Sequence, residues 1–479
     1  MAHKPIQFKD ICLSFPQKVC FENFSTHVHD GSRIAIIGRN GSGKSTLLKM
    51  LRRETTLHEG QIIIPEDMVF GYVPQIVDTL EPLSGSERLN KALTCALALN
   101  PDVLLLDEPT NHLDQRNRRA LMRMLHSFPG TLIVVTHDVE LLRNNIDILW
   151  HIDNEKIHIF HGNYDDYIHE THIKKVAIED EISSLKFQKK ETHKVLMKEQ
   201  DRAKKSDLRG QKFIEERRWP TVGSAEKARR AVETAGRKKS AIRDKREGLA
   251  DALSELKLPE SLNPKFSLSA ADLGCCASVS VTDGSIGFVE SGQPFLHNLN
   301  FSITAGERIA ITGDNGSGKS TLIKAILNDP NIFKSGAWYV PKIEDIGYLD
   351  QHYNTLSPNQ TVYETIEELT PHWTHAEIRC HLNDFLFRKN EEVSAKVSIL
   401  SGGEKAKLCL AQIAAKTPKL LILDEMTNNL DLETRAHVIQ VLQQYPGTLI
   451  VISHDTDFLK AIGVTDSIDV GQFSYIKNS

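Results

Sequence analysis

Hydrophobic positions along this chain follow two regimes. In its first part, Arg33-Ile-Ala-Ile-Ile37 and Val103-Leu-Leu-Leu-Asp107 are short apolar runs, the pattern of strands buried on both faces, and a further strand ends at Thr136-His137-Asp138. The run at 33–37 leads through glycines into Leu47, Leu48 and Met50, which predicts strand, loop and helix in succession. The middle of the chain differs. Proline is absent from 171–219 and from 221–258, while Gly210, Pro220 and Gly223 cluster between, so two helices joined by an irregular tip are predicted. Ile178, Ile182 and Leu185, then Ile242, Leu249, Leu253 and Leu256, recur at helical spacing and would pack the pair antiparallel along a narrow seam. Arms of about 40 residues would each reach roughly 60 Å. That length would carry the tip, Gln211 to Pro220, away from the flanking bodies.

Charge sharpens the division. Residues 171–250 hold 23 Lys+Arg against 13 Asp+Glu, a net of +10, in a chain whose formal net charge is −5. So local a reversal suggests a polyanionic partner at the middle of the molecule; a solvated spacer is the alternative that charge alone leaves open. At 479 residues, 40% hydrophobic and 25% charged, the chain is long enough for two or three domains with full cores. It contains no run of about 18 apolar residues, which excludes a helical membrane span. The first ten residues lack the apolar core of a secretion signal. Seven cysteines without a C-x-x-C pair disfavour both a disulfide framework and a zinc site, so a reduced, cytoplasmic location is expected.

The glycines that follow the first strand carry chemistry. Gly38-Arg-Asn40-Gly41-Ser-Gly43-Lys44-Ser45-Thr46 is a phosphate-cradling loop in the strand–loop–helix setting its mechanism needs. Glycines let successive backbone N–H groups point inward at phosphates, and the helix N-terminus adds a favourable partial charge. Lys44 would reach the β/γ-phosphates, and the Ser45 hydroxyl would sit on Mg²⁺. The strand at 103–107 ends in two carboxylates with separable tasks. Asp107 suits a place just behind the Mg²⁺ ligands, and Glu108 either orients or deprotonates an attacking water. An acidic turn after a core strand is the plainer reading of that pair. It loses weight because Pro109-Thr-Asn-His-Leu-Asp114 follows and because His137 ends the next strand, where it could contact a γ-phosphate.

In order, Gln75, Leu83-Ser84-Gly85-Ser86-Glu87, Leu106-Asp-Glu-Pro-Thr-Asn-His-Leu-Asp114 and His137 resemble the nucleotide-binding domain of ATP-binding-cassette proteins. The Asn111-His112 pair resembles the ABC-F subfamily of tandem cassettes. The resemblance implies an ATPase that uses ATP and Mg²⁺, with Gln75 as the glutamine that senses metal and water, Ser84-Gly85-Ser86 as the signature loop and Asp114 as the dimer-contact aspartate. Phe15 matches the aromatic that stacks on adenine, although a Phe near a first strand is more often a core residue. After Pro259 and Pro264 the order returns as Phe288, Gly313-Asp-Asn315-Gly316-Ser-Gly318-Lys319-Ser320-Thr321, Gln351, Ser401-Gly402-Gly403-Glu404, Asp424-Glu425, Asp431 and His454. The fold class expected is therefore α/β, two P-loop cassettes at 1–164 and 261–479 joined by an antiparallel two-helix linker at 165–260 with its tip near 206–224. By the same resemblance Glu108, Glu425, His137 and His454 are the catalytic set, and Ser45, Gln75 and Asp107, with Ser320, Gln351 and Asp424, form the metal sites.

Spacing between the copies is uneven. Lys44 to Lys319 is 275 residues and Gln75 to Gln351 is 276, yet Ser84 to Ser401, Asp107 to Asp424 and His137 to His454 are each 317. Some 41 residues are thus missing from the first copy, where only 76–83 separate glutamine from signature, against 352–400 in the second. In cassettes that interval holds a helical subdomain. The shortening resembles ABC-F proteins that lack the extra first-cassette arm of the translation-throttle branch. Face-to-face closure of the cassettes, an intramolecular dimer in a monomeric chain, would bring Ser401-Gly402-Gly403 to the Lys44 site and Ser84-Gly85-Ser86 to the Lys319 site. Ser86 then replaces a glycine where backbone should approach a phosphate, Met426 stands where proline is usual and Asn429 where histidine is. Unequal sites are expected, the Lys319 site slower.

In ABC-F proteins the linker enters the tRNA exit site of the ribosome and points toward the peptidyl-transferase centre. The resemblance implies ATP-dependent closure, docking on ribosomal RNA and tRNA without any membrane, and release on hydrolysis. Phosphate neutralisation by the basic linker would supply much of that affinity. Phe213 and Trp219, among Lys212, Arg217 and Arg218, would either stack on exposed bases or pin the tip together. The short first cassette and long tip resemble the antibiotic-resistance branch that protects ribosomes. A housekeeping or stress translation factor on the ribosome and a nucleic-acid repair ATPase are the alternatives.

Overall fold

The computed structural model describes residues 4–475 except 16–17, 56–58, 76–84, 112, 216–236, 238–239, 242, 245–247, 249–261, 263–265, 267–276, 291, 315, 351–352, 354 and 427–429. The chain divides into two compact units, one formed by 1–165 with 261–479 and the other by 166–260.

The first unit is α/β and its architecture occurs twice. In the first copy a six-stranded sheet runs in the order Phe70–Val73, Val103–Asp107, Thr131–Val135, Arg33–Gly38, Ile148–Asp153 and Lys156–His161, parallel except for the last strand. Val103–Asp107 and Thr131–Val135 are buried at every residue and Arg33–Gly38 at all but its ends, which is why they read as apolar runs. The edge strand Lys156–His161 is largely exposed. A three-stranded antiparallel sheet of Lys18–Val28, Ile6–Phe15 and Glu59–Ile63 packs with it around Phe8, Phe21, Phe24 and Trp150, whose rings meet edge-on or tilted at 5.1–6.5 Å. The second copy repeats the plan with a five-stranded parallel sheet, Ile346–Leu349, Leu420–Asp424, Thr448–Ile452, Arg308–Thr312 and Asp466–Asp469, and a four-stranded antiparallel one.

The uneven spacing has a structural counterpart. Residues 352–400 of the second copy include the helices Val362–Leu369, His375–Asp384 and Asn390–Ser394. Capping boxes start the first two, Thr361 with Glu364 and Thr374 with Glu377. Val362, Ile366, Ile378, Leu382 and Phe385 bury this subdomain against the helix Gly402–Lys416 in the largest apolar cluster of the cassette. In the first copy the helix Gly85–Ala98 follows directly on the stretch 76–84, which lies outside the described residues.

In the second unit one helix, Tyr164–Glu215, spans 52 residues, about 78 Å at 1.5 Å per residue. It is longer than the arm of about 40 residues expected from sequence, and it continues through Gly210, inside the irregular tip expected near 206–224. An isolated glycine costs a helix only about 1 kcal/mol, and the first proline comes at 220. From 171 onward the less exposed described positions are 171, 175, 178, 182, 185, 189, 192 and 196, together with 191, and Ile182 is buried. Apart from 191, steps of four and three alternate along them, the spacing of a coiled-coil seam. Ile242, Leu249, Leu253 and Leu256, expected on the opposing arm, lie outside the described residues.

Candidate functional site

A cleft of about 440 Å³ opens at the end of the first parallel sheet, a size typical of a nucleotide or cofactor pocket. Phe15, Asn40, Gly41, Gly43, Lys44, Ser45, Thr46, Gln75, Asp107, Glu108 and His137, all singled out by sequence, line it. Asn111 and Val135 line it too. Asn111, in sequence a mark of the family resemblance, is thus part of the cleft wall. Phe15 is 48% exposed, so this aromatic is not a core residue.

Local geometry explains how the loop is held. Gly43 caps the helix Lys44–Leu51 at φ +94°, and a Cβ there would fall 2.6 Å from Leu13 Cδ2, so only glycine fits. The buried Lys44 ammonium donates to the Gly38 and Arg39 carbonyls at 2.7 and 3.0 Å, closing the loop over its own lysine. Lys319 does the same with Gly313 and Asp314, at 2.9 Å each, beside Gly318 at φ +99°.

The carboxylates beyond the loop are held away from water. Burial pushes Asp107 up from the usual carboxylate range, against a hydrogen bond from Ser45 that favours the charged form, and its Oδ1 is buried with no hydrogen-bond partner. Burial also raises Glu108, with Lys44 partly offsetting it, and lowers His137, whose Nε2 lies 3.3 Å from Glu108 Oε1. Glu108 takes the left-handed φ of +48°, and its N–H donates to Val135 O at 2.8 Å, which turns the side chain out of the strand into the cleft. Glu425 repeats this at φ +47° with Ile452 O at 3.0 Å. Burial raises Asp424 as well, helped by Glu425 and opposed by hydrogen bonds from Tyr348 and Ser320; Tyr348, whose hydroxyl lies 3.3 Å from Asp424 Oδ2, went unnoticed in the sequence. Burial lowers His454. The second pair is looser: His454 Nε2 and Glu425 Oε1 are 3.9 Å apart and their side chains 17% and 28% exposed, against 10% and 9% for His137 and Glu108. Phe288 is 46% exposed and stacks on Phe295 at 5.6 Å, and Phe295 lies against Gly318.

Each loop thus presents a lysine and a hydroxyl beside an acidic pair, desolvated at both carboxylates in the first copy and at Asp424 in the second. An uncompensated buried carboxylate oxygen next to a serine hydroxyl suits a divalent cation carried by a polyphosphate. The Mg²⁺ requirement of this chemistry fits these residues.

The two cassettes touch. Asp431 caps the helix Leu432–Gln444 through Oδ1, which accepts from Thr434 N at 2.8 Å, while Oδ2 accepts from Asn40 N of the first phosphate loop at 3.1 Å. Burial works against the charge on Asp431, but the N–H groups of Thr434 and Asn40 hold it below the usual carboxylate range. Arg39 forks onto Glu433 at 2.5 and 2.7 Å, Arg143 meets Asp457 at 2.9 Å, and Arg118 donates to His454 O at 3.3 Å. Among the described residues, Ser401, Gly402 and Gly403 do not line the cleft. Ser401 caps its helix in a box with Glu404, and both Ser401 and Gly402 are exposed.

Gly403 corrects one expectation. It is buried, and a Cβ there would meet Thr434 Oγ1 of its own cassette at 2.8 Å, whereas nothing lies within 4 Å of one at Gly402. Its counterpart Ser86 is likewise buried, 8% exposed. Burial of the side chain at 86 counts against the exposed, phosphate-facing place expected for it. Ser84, Asn315, Gln351, Arg217, Arg218 and Trp219 lie outside the described residues, as do the side chains of Lys212 and Phe213.

Fold and loops together define a pair of ATP-hydrolysing cassettes, and comparison with known proteins agrees. The ABC transporter family matches residues 21–75 and 296–428, and an AAA-domain family matches 84–143. ATP-binding protein Uup of Buchnera aphidicola is 30% identical over 95% of this chain and 78% of its own length. Uup of Escherichia coli is 28% identical over 93% and 77%, and ribosome protection protein VmlR of Bacillus subtilis 29% over 95% and 85%. The chain belongs to the ABC-F family of tandem ATP-binding-cassette ATPases. Among the described residues no helix is long and apolar enough to cross a membrane.

Proposed function

We propose that this ATPase acts on the ribosome: its ATP-bound cassettes close, the closed form docks through the basic unit between them, and hydrolysis releases it. The observation that carries the reading is the net charge of +10 over 171–250, a stretch set in sequence between two ATPase cassettes and entered by the helix Tyr164–Glu215. Such a charge matches ribosomal RNA and tRNA, where phosphate contacts dominate affinity. Similarity to a ribosome protection protein over 95% of the chain supports the same target and favours antibiotic resistance by ribosome protection as the outcome. Lys212, Phe213, Arg217, Arg218 and Trp219 are the proposed contacts to RNA or tRNA. The protein works as a cytoplasmic monomer whose two cassettes pair.

At the first site Lys44, the loop N–H groups and the helix N-terminus hold the polyphosphate of ATP, and Phe15 faces the base. Ser45, Gln75 and Asp107 hold Mg²⁺, which neutralises charge on the phosphates when bound. Glu108 takes or orients the proton of the attacking water, and His137 fixes the carboxylate beside it. Lys319, Ser320, Thr321, Gln351, Asp424, Glu425 and His454 repeat these roles at the second.

A Glu108→Gln, Glu425→Gln double variant binds ATP and hydrolyses it slowly. It is expected to co-sediment with 70S ribosomes in ATP and not in ADP. Equal recovery in both nucleotides, at low and physiological salt, would overturn the ribosome reading and favour a nucleic-acid repair role. Expression in a drug-sensitive host then separates protection from a housekeeping role.

A further inference from the structure

We infer that the phosphate loops and the aspartate-capped helices carry a charge-reversed code that makes each cassette select the other and reject its own kind. Within the repeat, Arg39 corresponds to Asp314, at an offset of 275, and Arg116 to Glu433, at an offset of 317. The junction seen in the structure joins the first loop to the second cassette's helix, with Arg39 forked onto Glu433 beside the Asn40–Asp431 bond. By the repeat, the mirror junction would set Asp314 against Arg116, both exposed, the latter at the start of the helix Gln115–Ser127. Both cross-pairings would then be attractive, with the signs exchanged.

Self-pairing inverts this. A first-cassette loop meeting the helix of another first cassette opposes Arg39 to Arg116, and two second cassettes oppose Asp314 to Glu433. Like charges placed together suppress wrong partners more effectively than opposite charges strengthen right ones. Contacts elsewhere on the interface lack this property. Arg143 meets Asp457, and the repeat counterparts are Lys460 and Glu140, so both cassettes carry the same signs there and the pair discriminates nothing. Arg118 and Arg435 are identical. Discrimination is thus concentrated where the nucleotide loop meets the dimer-contact aspartate.

The residues are exposed, the side chains of Arg39 and Glu433 by 56% and 36%, so each pair is modest and salt-screened. The test uses the full chain and its steady-state ATPase. Exchanging the loop charges, Arg39→Asp with Asp314→Arg, leaves net charge unchanged but makes both cross-junctions repulsive. At low ionic strength kcat is expected to fall about fivefold, with the loss shrinking at about 0.5 M salt. Adding Arg116→Glu and Glu433→Arg restores attraction and returns kcat to within about twofold of the parent. No loss in the loop exchange would overturn the inference. A fourfold variant no faster than the loop exchange would overturn it as well, because an effect confined to the nucleotide loop cannot be rescued from the opposite helix. Alanine at Arg39, Glu433 and both gives a second cycle, in which additive losses count against the code.

Discussion

Replacing one glutamate at a time distinguishes the two sites. The carboxylate of Glu108 lies 3.3 Å from His137 and that of Glu425 lies 3.9 Å from His454, a difference of 0.6 Å, and Glu425 is the more exposed. If a misplacement of about 1 Å at a reacting centre costs roughly a hundredfold, 0.6 Å corresponds to about fifteenfold, or about 1.6 kcal/mol of barrier. The Lys44 site is then the faster. Losing its water-orienting carboxylate slows a site by about 10²–10⁴-fold. Glu425→Gln should therefore retain about nine-tenths of phosphate release at saturating ATP and Mg²⁺, and Glu108→Gln about one-tenth. Single-variant rates measured by continuous phosphate release decide the matter. Equal residual turnover, or greater loss with Glu425→Gln, would refute the claim that the tighter Glu–His pair marks the faster site.

Gly403→Ala should destabilise the second cassette by about 1–3 kcal/mol through the clash with Thr434, while Gly402→Ala, in open space, should change its melting temperature little; thermal unfolding of both checks this. Phe15→Ala should weaken ATP binding at the first site about two- to tenfold, seen as a right-shifted fluorescent-nucleotide titration with kcat at saturation retained.

Much of the site is legible in the sequence because its chemistry is local. Gly43, Lys44 and Ser45 work within one loop, and the strand Val103–Asp107 announces itself by being apolar throughout and ending in two acids. Asn111 and Tyr348 carry no such local mark, and their places in the two sites come from the way strands and loops converge. The Arg39–Glu433 contact spans 394 residues of chain, so only folding brings it together. Spacing identifies the place of Ser86 in its loop but not its burial, which folding decides. Gly210 was given too much breaking power, since one glycine costs less than a long seam recovers.

Asp431 works twice. One oxygen finishes its own helix and the other reaches the neighbouring loop, so separating the cassettes leaves the helix end intact. The loop likewise keeps its lysine tied to its own carbonyls. The joint is a clasp between finished parts, and the Asn40 and Arg39 contacts together are worth about 1–2 kcal/mol, a gap that thermal motion crosses often. On these contacts alone the clasp would stand open roughly 3–16% of the time. Nucleotide exchange would then need no unfolding, only the moments when the clasp is undone.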